Sequence, residues 1–142
     1  MNRRVFVVAE LGSSHDGEIA KAYRLLEVAK AAGADGVKVQ AFHAETLAAR
    51  RHAADYLAVY QRYELPLAWL PNLSEASAAL GLAFIAATYH ADYLPLVAPW
   101  VDMLKVSSFE ARDAAFLDAH ARFGKPVIVS TGMMKRDEVR EI

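Results

Sequence analysis

The 142-residue sequence contains no cysteine. This absence excludes disulfides, thiolate zinc sites, iron–sulfur clusters and cysteine nucleophiles, and it is typical of proteins from a reducing compartment. An excess of one charge sign is also lacking, because 16 basic residues stand against 17 acidic ones for a net charge of −1. No basic strip for nucleic acid is therefore expected. With 55% hydrophobic residues, the composition is that of a globular protein and not of a disordered segment.

Long hydrophobic runs are missing as well. The first apolar run, residues 5–9, stops at Glu10 and is too short for a signal-peptide core or a bilayer span. Charged residues or histidine interrupt the later runs. We therefore expect a soluble, cytoplasmic protein that binds neither membrane nor nucleic acid. The length predicts a single domain over residues 1–142.

Short β-rich runs alternate with helical patterns along the chain. The predicted strands cover residues 5–9, 36–41, 82–87, 101–107 and 126–130. The predicted helices cover residues 18–32, 66–80, 90–97 and 111–123, and a fifth starts at Lys135. Asp16 is the predicted cap of the first helix, and Gly33, Gly81 and Gly124 each end a helix. This alternation predicts βαβ units, and hence an α/β fold with parallel strands and helices outside.

One long connection, residues 42–65, shows no clear period and is predicted to be irregular. Long connections of this kind are usually functional or mobile. The aromatic residues in and after it are interpreted as a packing stripe in preference to a stacking platform; they are Tyr56, Tyr60, Tyr63 and Trp69.

Two of the predicted strands carry a lysine where a covered strand should be apolar. Because side chains alternate across a strand, Lys38 and Lys105 lie on the face opposite the apolar side chains of their strands. Burying an unpaired ammonium group costs several kcal/mol by order of magnitude. Each lysine can pair with a carboxylate such as Glu10 or Glu110, bind an anionic ligand, or act as a neutral amine. The residues alone leave all three possibilities open, although two such lysines favour a ligand.

Polar residues collect where the predicted strands end, which is the edge at which parallel α/β folds bind ligands. They are Glu10, Gln40, Thr88, Tyr89, His90, Ser107, Ser108, Glu110, Ser130 and Thr131. The run Ser130-Thr131-Gly132 suits either a bound phosphate or carboxylate, or an ordinary helix cap. His15 lies in a polar turn after the first strand, where it is either an exposed turn residue or a contact to substrate or metal. The histidines show no metal-ligand spacing of the HExxH kind.

Four motifs in register resemble the sialic acid synthase family, the N-acetylneuraminate synthase-like enzymes. They are Val8-Ala9-Glu10-Leu11-Gly12 with His15-Asp16-Gly17, then residues 32–40, then Lys105-Val106-Ser107-Ser108-Phe109-Glu110, and finally residues 124–133. The chain departs from the family pattern at two places. Ser14 stands where the family has Asn, and Thr88-Tyr89-His90 stands where it has Thr-Pro-Phe.

The resemblance implies a partial TIM (β/α) barrel with five parallel strands, the N-terminal half of the barrel domain, since a complete barrel has eight. It also implies a transferase of carbohydrate biosynthesis that condenses phosphoenolpyruvate with an N-acyl aminosugar, such as N-acetylmannosamine, to a nonulosonic acid. By resemblance the reaction uses Mn²⁺ or Mg²⁺, whose ligands lie on later strands that have no match in this chain.

The resemblance also assigns roles to individual residues. Lys38 and Lys105 would hold the carboxylate and phosphate of phosphoenolpyruvate, Glu10 would lie near the reacting carbon or the sugar hydroxyls, and Glu110 would orient the substrate. These four residues are the catalytic candidates. The substrate-binding candidates are His15, Gln40, Thr88, Ser108, Ser130 and Thr131.

The missing metal half leaves other interpretations open. The chain can be a fragment of a longer product, a short natural homologue, or a half-barrel that dimerises to cover its unpaired sheet edges, so a homo-oligomer is expected. Little or no synthase activity is expected of the isolated chain. The alternative functions are a non-catalytic anion-binding or assembly homologue and a Schiff-base aldolase that uses one of the lysines.

Overall fold

The computed structural model describes residues 5–50 and 54–142. Five strands form one sheet in which every neighbouring pair is parallel and the spatial order equals the chain order. The strands are β1 (Val8–Gly12), β2 (Gly36–Ala41), β3 (Ala83–Thr88), β4 (Met103–Val106) and β5 (Val127–Val129). Because each right-handed crossover advances by one strand, the helices lie on one side of the sheet. This arrangement confirms the predicted α/β class and the partial barrel with helices outside.

Six α-helices connect and flank the strands. They are α1 (Ile19–Ala31), α2 (Ala44–Arg50), α3 (Leu57–Tyr63), α4 (Leu70–Ala79), α5 (Leu94–Val97) and α6 (Ala114–Ala121). Short 3₁₀ turns precede α3, α4, α5 and α6, and another covers Glu138–Arg140. The prediction of an α-helix starting at Lys135 is wrong. The structure has the 3₁₀ turn Glu138–Arg140 there instead. No helix among the described residues is long and apolar enough to cross a bilayer.

Helix α1 shows how the sequence pattern produces the fold. Ala22, Leu26 and Ala29 recur at spacings of three and four residues and are buried against the sheet. The helix stops because Gly33 takes φ +82°, which lets the Ala34 amide donate to the Ala29 carbonyl at 3.1 Å. Each fully buried leucine of this kind stabilises the fold by roughly 1.5–3 kcal/mol.

The prediction that Asp16 caps α1 is wrong. The N-cap residue is Glu18, whose side chain makes no capping hydrogen bond. Asp16 instead has φ +52° and accepts hydrogen bonds from Arg62 of α3, with 2.9 Å from both Nε and Nη2 to Oδ1. The carboxylate therefore ties the turn before α1 to α3 and does not satisfy the start of its own helix.

The sheet has two chemically different faces. The helix-covered face consists of apolar side chains that form the core, namely Val37, Val39, Phe84, Ala86, Leu104 and Val106. The opposite face, here called the open face, carries Glu10, Lys38, Gln40, Ile85, Ala87, Lys105 and Ile128. Residues aligned by the register point to the same side. The predicted alternation of the two lysine strands is thus confirmed.

Two further parts of the chain differ from the prediction. Strand β1 lies three residues later than predicted, so Glu10 is inside the strand and residues 5–7 precede it. The connection over residues 42–65 is not irregular, because it contains α2 and α3. These helices are short, and tertiary contacts stabilise helices of this length more than intrinsic propensity does.

Candidate functional site

The two strand lysines lie on the open face. Glu10 is aligned with Lys38 across the β1–β2 pair, and Lys105 is aligned with Ala87, which is itself aligned with Gln40. Lys38 forms an ion pair with Glu10, and its side chain is 14% exposed whereas that of Glu10 is 53% exposed. One lysine is therefore partly neutralised by a carboxylate that water still reaches.

Lys105 has no such dominant partner, and its electrostatics are unfavourable to charge. Burial lowers the pKa of its ammonium group, and the positive charge of nearby Lys38 lowers it further. The carboxylates of Glu10 and Glu110 oppose this shift but do not cancel it. Lys105 thus interacts electrostatically with the other three catalytic candidates, and the net effect disfavours its charged form.

Glu110 begins the 3₁₀ turn that lies four residues after the end of β4, and it is buried. Its carboxylate accepts a hydrogen bond from the Ser107 hydroxyl. Ser107 follows the last residue of β4 and has the same strand parity as Lys105. A buried carboxylate needs such donors because desolvation disfavours its charge. The arrangement holds Glu110 close to the lysines without exposing it to solvent.

The hydroxyl candidates at the ends of β4 and β5 come together. Ser108 lies against the loop after β5, where a Cβ added to Gly132 would be only 3.2 Å from its Oγ. The Ser130 amide donates to the Val106 carbonyl at 3.0 Å and holds this loop beside β4. Thr131 is exposed in the same loop. Any larger residue at position 132 would force the Ser108 hydroxyl to move by a few tenths of an ångström, so the glycine keeps this close approach open.

Thr88 and His15 lie away from the open face. Thr88 shares the helix-covered face with Phe84 and is buried, and its Oγ1 is 2.8 Å from Nε2 of His120. His15 is buried beside Trp69 at 5.6 Å between ring centroids. The structure therefore does not bring these two substrate-binding candidates into the lysine cluster.

His15 closes a small apolar cavity on the helix-covered side, lined also by Leu26, Val39 and Phe84. Its Nδ1 accepts a hydrogen bond from the Gly17 amide at 3.1 Å, while Nε2 is buried and has no hydrogen-bond partner among residues 5–50 and 54–142. Burial lowers the pKa of the imidazole, as it also does for His120. Both rings are thus held in the neutral form.

An aromatic cavity of about 360 Å³ lies at the C-terminal end of β2, the strand that carries Lys38. Its lining residues are Ser13, Gln40, Phe42, Leu47, Val59, Tyr60, Tyr63 and Tyr89. Phe42 is the centre of this wall, with edge-to-face contacts to Tyr60 at 6.1 Å and to Tyr89 at 6.0 Å. Gln40 provides a polar group at the base, where the Ser13 hydroxyl lies 3.3 Å from its Oε1.

The sequence analysis missed this cavity because it interpreted the aromatic residues as one packing stripe. Tyr60 and Tyr63 line the cavity, whereas Trp69 packs on His15 elsewhere. Tyr56 is exposed and lies 6.5 Å from Tyr60 between ring centroids. The sequence feature that could have predicted the cavity is the position of these aromatic residues in the segment after β2, the strand that carries Lys38 and Gln40.

The part of the chain that the structure describes lacks a cluster of metal-ligating side chains. Residues 5–50 and 54–142 contain no group of three or more His, Cys, Asp or Glu side chains that could hold a metal ion. The chemistry of the described site is therefore that of two ammonium groups, two carboxylates and several hydroxyls.

Comparison with known proteins gives one family and several relatives. A model described as the NeuB family matches residues 25–142. The chain is 27% identical to a pseudaminic acid synthase of Campylobacter jejuni, a match that covers 99% of the chain and 45% of the relative. It is 32% identical to an N,N'-diacetyllegionaminic acid synthase of Legionella pneumophila, with 95% of the chain and 42% of the relative covered.

Solved structures agree with these matches. An N-acetylneuraminic acid (sialic acid) synthetase from Leptospira borgpetersenii, solved in complex with citrate, superposes with a TM-score of 0.90 and 26% identity. That match covers 99% of this chain and 49% of the other. A truncated 3-deoxy-D-arabino-heptulosonate 7-phosphate synthase from Thermotoga maritima, at 19% identity and a TM-score of 0.68, shares the fold. The chain thus spans about half the length of the relatives that it matches.

Proposed function

The chain belongs to the NeuB family, and from this premise we propose that it carries the phosphoenolpyruvate-binding half of a nonulosonic acid synthase. The proposed reaction joins phosphoenolpyruvate to an N-acyl aminosugar such as N-acetylmannosamine and releases phosphate. The observation that carries the proposal is the presence of Lys38 and Lys105 on one face of the sheet, close enough for the charge of one to lower the pKa of the other.

The lysines would bind the carboxylate and phosphate groups of phosphoenolpyruvate. An anion between two ammonium groups removes their mutual repulsion, so its binding favours the charged form of Lys105. Preorganised charges in a partly buried site stabilise the ligand without reorganising at the moment of reaction. Hydroxyls of Ser108, Ser130 and Thr131 would complete the contacts at the ends of β4 and β5.

Glu10 and Glu110 would have different roles because their environments differ. The half-exposed Glu10 carboxylate pairs with Lys38 in the ligand-free chain. When an anionic ligand takes that place, Glu10 is free to turn toward the acceptor hydroxyls or the reacting carbon. Buried Glu110, held by the Ser107 hydroxyl, would keep Lys105 in position and orient the substrate.

The aromatic cavity would hold the acceptor sugar. It adjoins Gln40 at the C-terminal end of the strand that carries Lys38, and its volume of about 360 Å³ suits a small sugar. Its aromatic rings present apolar faces to the ring carbons, while Ser13 and Gln40 provide hydrogen bonds. The side chains of Leu47 and Val59 would pack on the methyl group of an N-acyl substituent.

The residues described here do not fit a divalent cation, because no suitable group of three ligands exists among them. We propose that the Mn²⁺ or Mg²⁺ implied by the family resemblance is held by residues outside this chain. The roles above therefore use the side chains of this chain alone.

A homo-oligomer is part of the proposal. Among the residues that the structure describes, strands β1 and β5 each have a single neighbour in the sheet, so each has an edge without a strand partner there. Exposed apolar side chains precede β1, with Val5 at 76% and Phe6 and Val7 at 50%. Free edges next to apolar side chains favour association. Light scattering on the purified chain tests this, and a monomer at all concentrations would contradict it.

Titration calorimetry with phosphoenolpyruvate tests the anion site directly. We expect binding that weakens at least tenfold in Lys38→Ala and in Lys105→Ala, because each change removes a charge-assisted contact of roughly 1.5–3 kcal/mol. Lys30→Ala is the matched control, since this exposed lysine lies in the last turn of α1. Absence of binding to the unmodified chain, or equal binding by all variants, would refute the proposal.

Phosphate release separates the synthase from the non-catalytic alternative. The chain is incubated with phosphoenolpyruvate, N-acetylmannosamine and Mn²⁺, and inorganic phosphate is measured. Binding without phosphate release favours an anion-binding or assembly homologue, or a half-site that needs further residues. Release at ordinary enzyme rates would show that this chain alone suffices.

Schiff-base chemistry is a second candidate, and the lowered pKa of Lys105 favours it. A neutral amine condenses with a carbonyl to form an imine and water, and borohydride reduces that imine to a stable secondary amine. Mass spectrometry after treatment with pyruvate and borohydride would locate the adduct on Lys105. An unmodified Lys105 peptide would exclude this candidate.

A further inference from the structure

We propose that Asp35 and Asp102 are positioning residues that act through Lys38 and Lys105, by fixing the register of the strands that carry the two lysines. The effect on ligand binding rests on the proposed function, whereas the effect on the lysines themselves does not.

Each aspartate makes a reciprocal pair of hydrogen bonds with the preceding strand. The Asp35 amide donates to the Val7 carbonyl at 2.8 Å, and the Val7 amide donates to Asp35 Oδ2 at 2.9 Å. The Asp102 amide donates to the Phe84 carbonyl, and the Phe84 amide donates to Asp102 Oδ2, both at 2.8 Å. We call each arrangement a carboxylate clamp.

Both hydrogen bonds of a clamp can form in only one strand register. Val8 aligns with Gly36 and Ile85 with Met103, so each aspartate lies directly opposite the residue that it binds. In a parallel ladder the backbone bonds are slanted and reach the flanking residues of the neighbouring strand. Here the aspartate carboxylate accepts from the amide of the residue directly opposite, so each clamp adds one side-chain bond to the backbone bonds. A shift of one residue therefore breaks both bonds of the clamp.

The clamp aspartates and the lysines have the same spacing in both strands. Strand β2 and the residue before it read Asp35-Gly36-Val37-Lys38-Val39, and the β4 region reads Asp102-Met103-Leu104-Lys105-Val106. In both, the aspartate precedes the lysine by three residues, which is about 10 Å along a strand. At that distance the aspartates support the lysines without touching a ligand bound between them.

Two of the strands are short, and one ladder is irregular. Strand β4 has four residues and β5 has three, and the β1–β2 ladder shifts between Glu10 and Gly12. A slip of two residues would preserve the alternation of faces and would still move a lysine by about 6.6 Å. Such a slip would separate Lys38 from Glu10 or carry Lys105 away from Lys38. The clamp at the opposite end of each strand excludes it.

The test follows the lysines by NMR. The pKa values of Lys38 and Lys105 are measured from their side-chain carbon shifts in the unmodified protein and in Asp102→Ala, Asp102→Glu and Asp102→Asn. We expect the lowered pKa of Lys105 to move toward its ordinary value in the alanine and glutamate variants, because the amine gains water and distance from Lys38. The asparagine variant keeps an oxygen acceptor and should restore the original value.

Asp113→Ala is the matched control. Asp113 also accepts a backbone amide, that of Phe116 at 3.1 Å, but it does so at the start of α6 and not on a lysine strand. We expect this control to leave the Lys105 pKa unchanged. Asp35→Ala is expected to change the side-chain chemical shifts of Lys38.

A second measurement is the affinity for inorganic phosphate. We expect at least a tenfold loss in Asp102→Ala and Asp102→Glu, less than threefold in Asp102→Asn, and no loss in Asp113→Ala. If the unmodified protein does not bind phosphate, the proposed function is refuted. The Lys105 pKa in the Asp102 variants still tests whether the clamp positions the lysine. Unchanged lysine titrations in folded Asp102→Ala or Asp102→Glu, or an equal change in Asp113→Ala, would overturn the inference.

Discussion

Replacing Lys105 with methionine should stabilise the ligand-free protein and abolish most of its anion binding. The substitution removes an ammonium group that burial and Lys38 both disfavour, as the lowered pKa shows. Methionine retains the unbranched stem and fills the same space. Opposite effects on stability and binding are the signature of a charge kept for a ligand and not for the fold.

The expected magnitudes follow from partial burial. Replacing an unfavourable buried charge with an apolar side chain gains about 1 kcal/mol at a partly exposed position. For a domain of this length that gain raises Tm by about 3 °C. Loss of one charge-assisted contact of about 2 kcal/mol weakens anion binding about 30-fold.

Thermal unfolding with and without phosphoenolpyruvate measures both effects. A ligand at one hundred times its Kd stabilises a protein by about 2.7 kcal/mol, so the unmodified chain should gain about 8 °C. At the same concentration Lys105→Met, with a Kd about 30-fold higher, should gain only about 0.9 kcal/mol, which raises its Tm by about 2.5 °C. Lys30→Met, which changes an exposed lysine, should behave as the unmodified chain does. A lower Tm for Lys105→Met without ligand, or a preserved ligand-induced shift, would refute the reasoning.

Three further predictions concern the core, the histidines and the cavity. Burial lowers the pKa of His15 and of His120 from 6.5. As the pH falls below 6.5, the unfolded chain therefore takes up protons before the folded chain does, and the free energy of unfolding should decrease. Urea unfolding at pH 7.5 and 5.0 should show a smaller decrease for His15→Phe than for the unmodified chain. Leu26→Ala should cost about 3 kcal/mol, whereas Val28→Ala on the exposed side of the same helix should change the free energy of unfolding by less than about 0.5 kcal/mol. Val59→Ser should weaken N-acetylmannosamine in saturation-transfer NMR and leave phosphoenolpyruvate affinity unchanged, and equal weakening of both ligands would contradict the assignment of the cavity.

The placement of the lysines was predictable from sequence because it depends on a period of two. Once β2 and β4 are recognised, alternation places Lys38 and Lys105 opposite the core. The same reasoning applies to Thr88, which has the parity of Phe84 and Ala86 and therefore faces the helices. It was expected at the ligand-binding edge because the predicted strand ended one residue too early.

Other features depend on contacts between distant residues and could not be predicted locally. Asp16 resembles a helix cap in sequence, but its partner is Arg62, which is 46 residues later. The apolar run at residues 5–7 predicts a strand, yet regular pairing with β2 begins only at Val8. The clamp of Asp35 likewise requires a neighbour from another part of the chain.

The division of the site between strands and a single connecting segment has an evolutionary consequence. The two lysines proposed to bind the anion belong to strands of the sheet. Most of the aromatic wall comes from one contiguous stretch, from Phe42 to Tyr63. Under the proposed function, recombination or drift confined to that stretch would diversify the sugars accepted by descendants of this scaffold, while the lysines proposed to hold the three-carbon donor would be inherited unchanged.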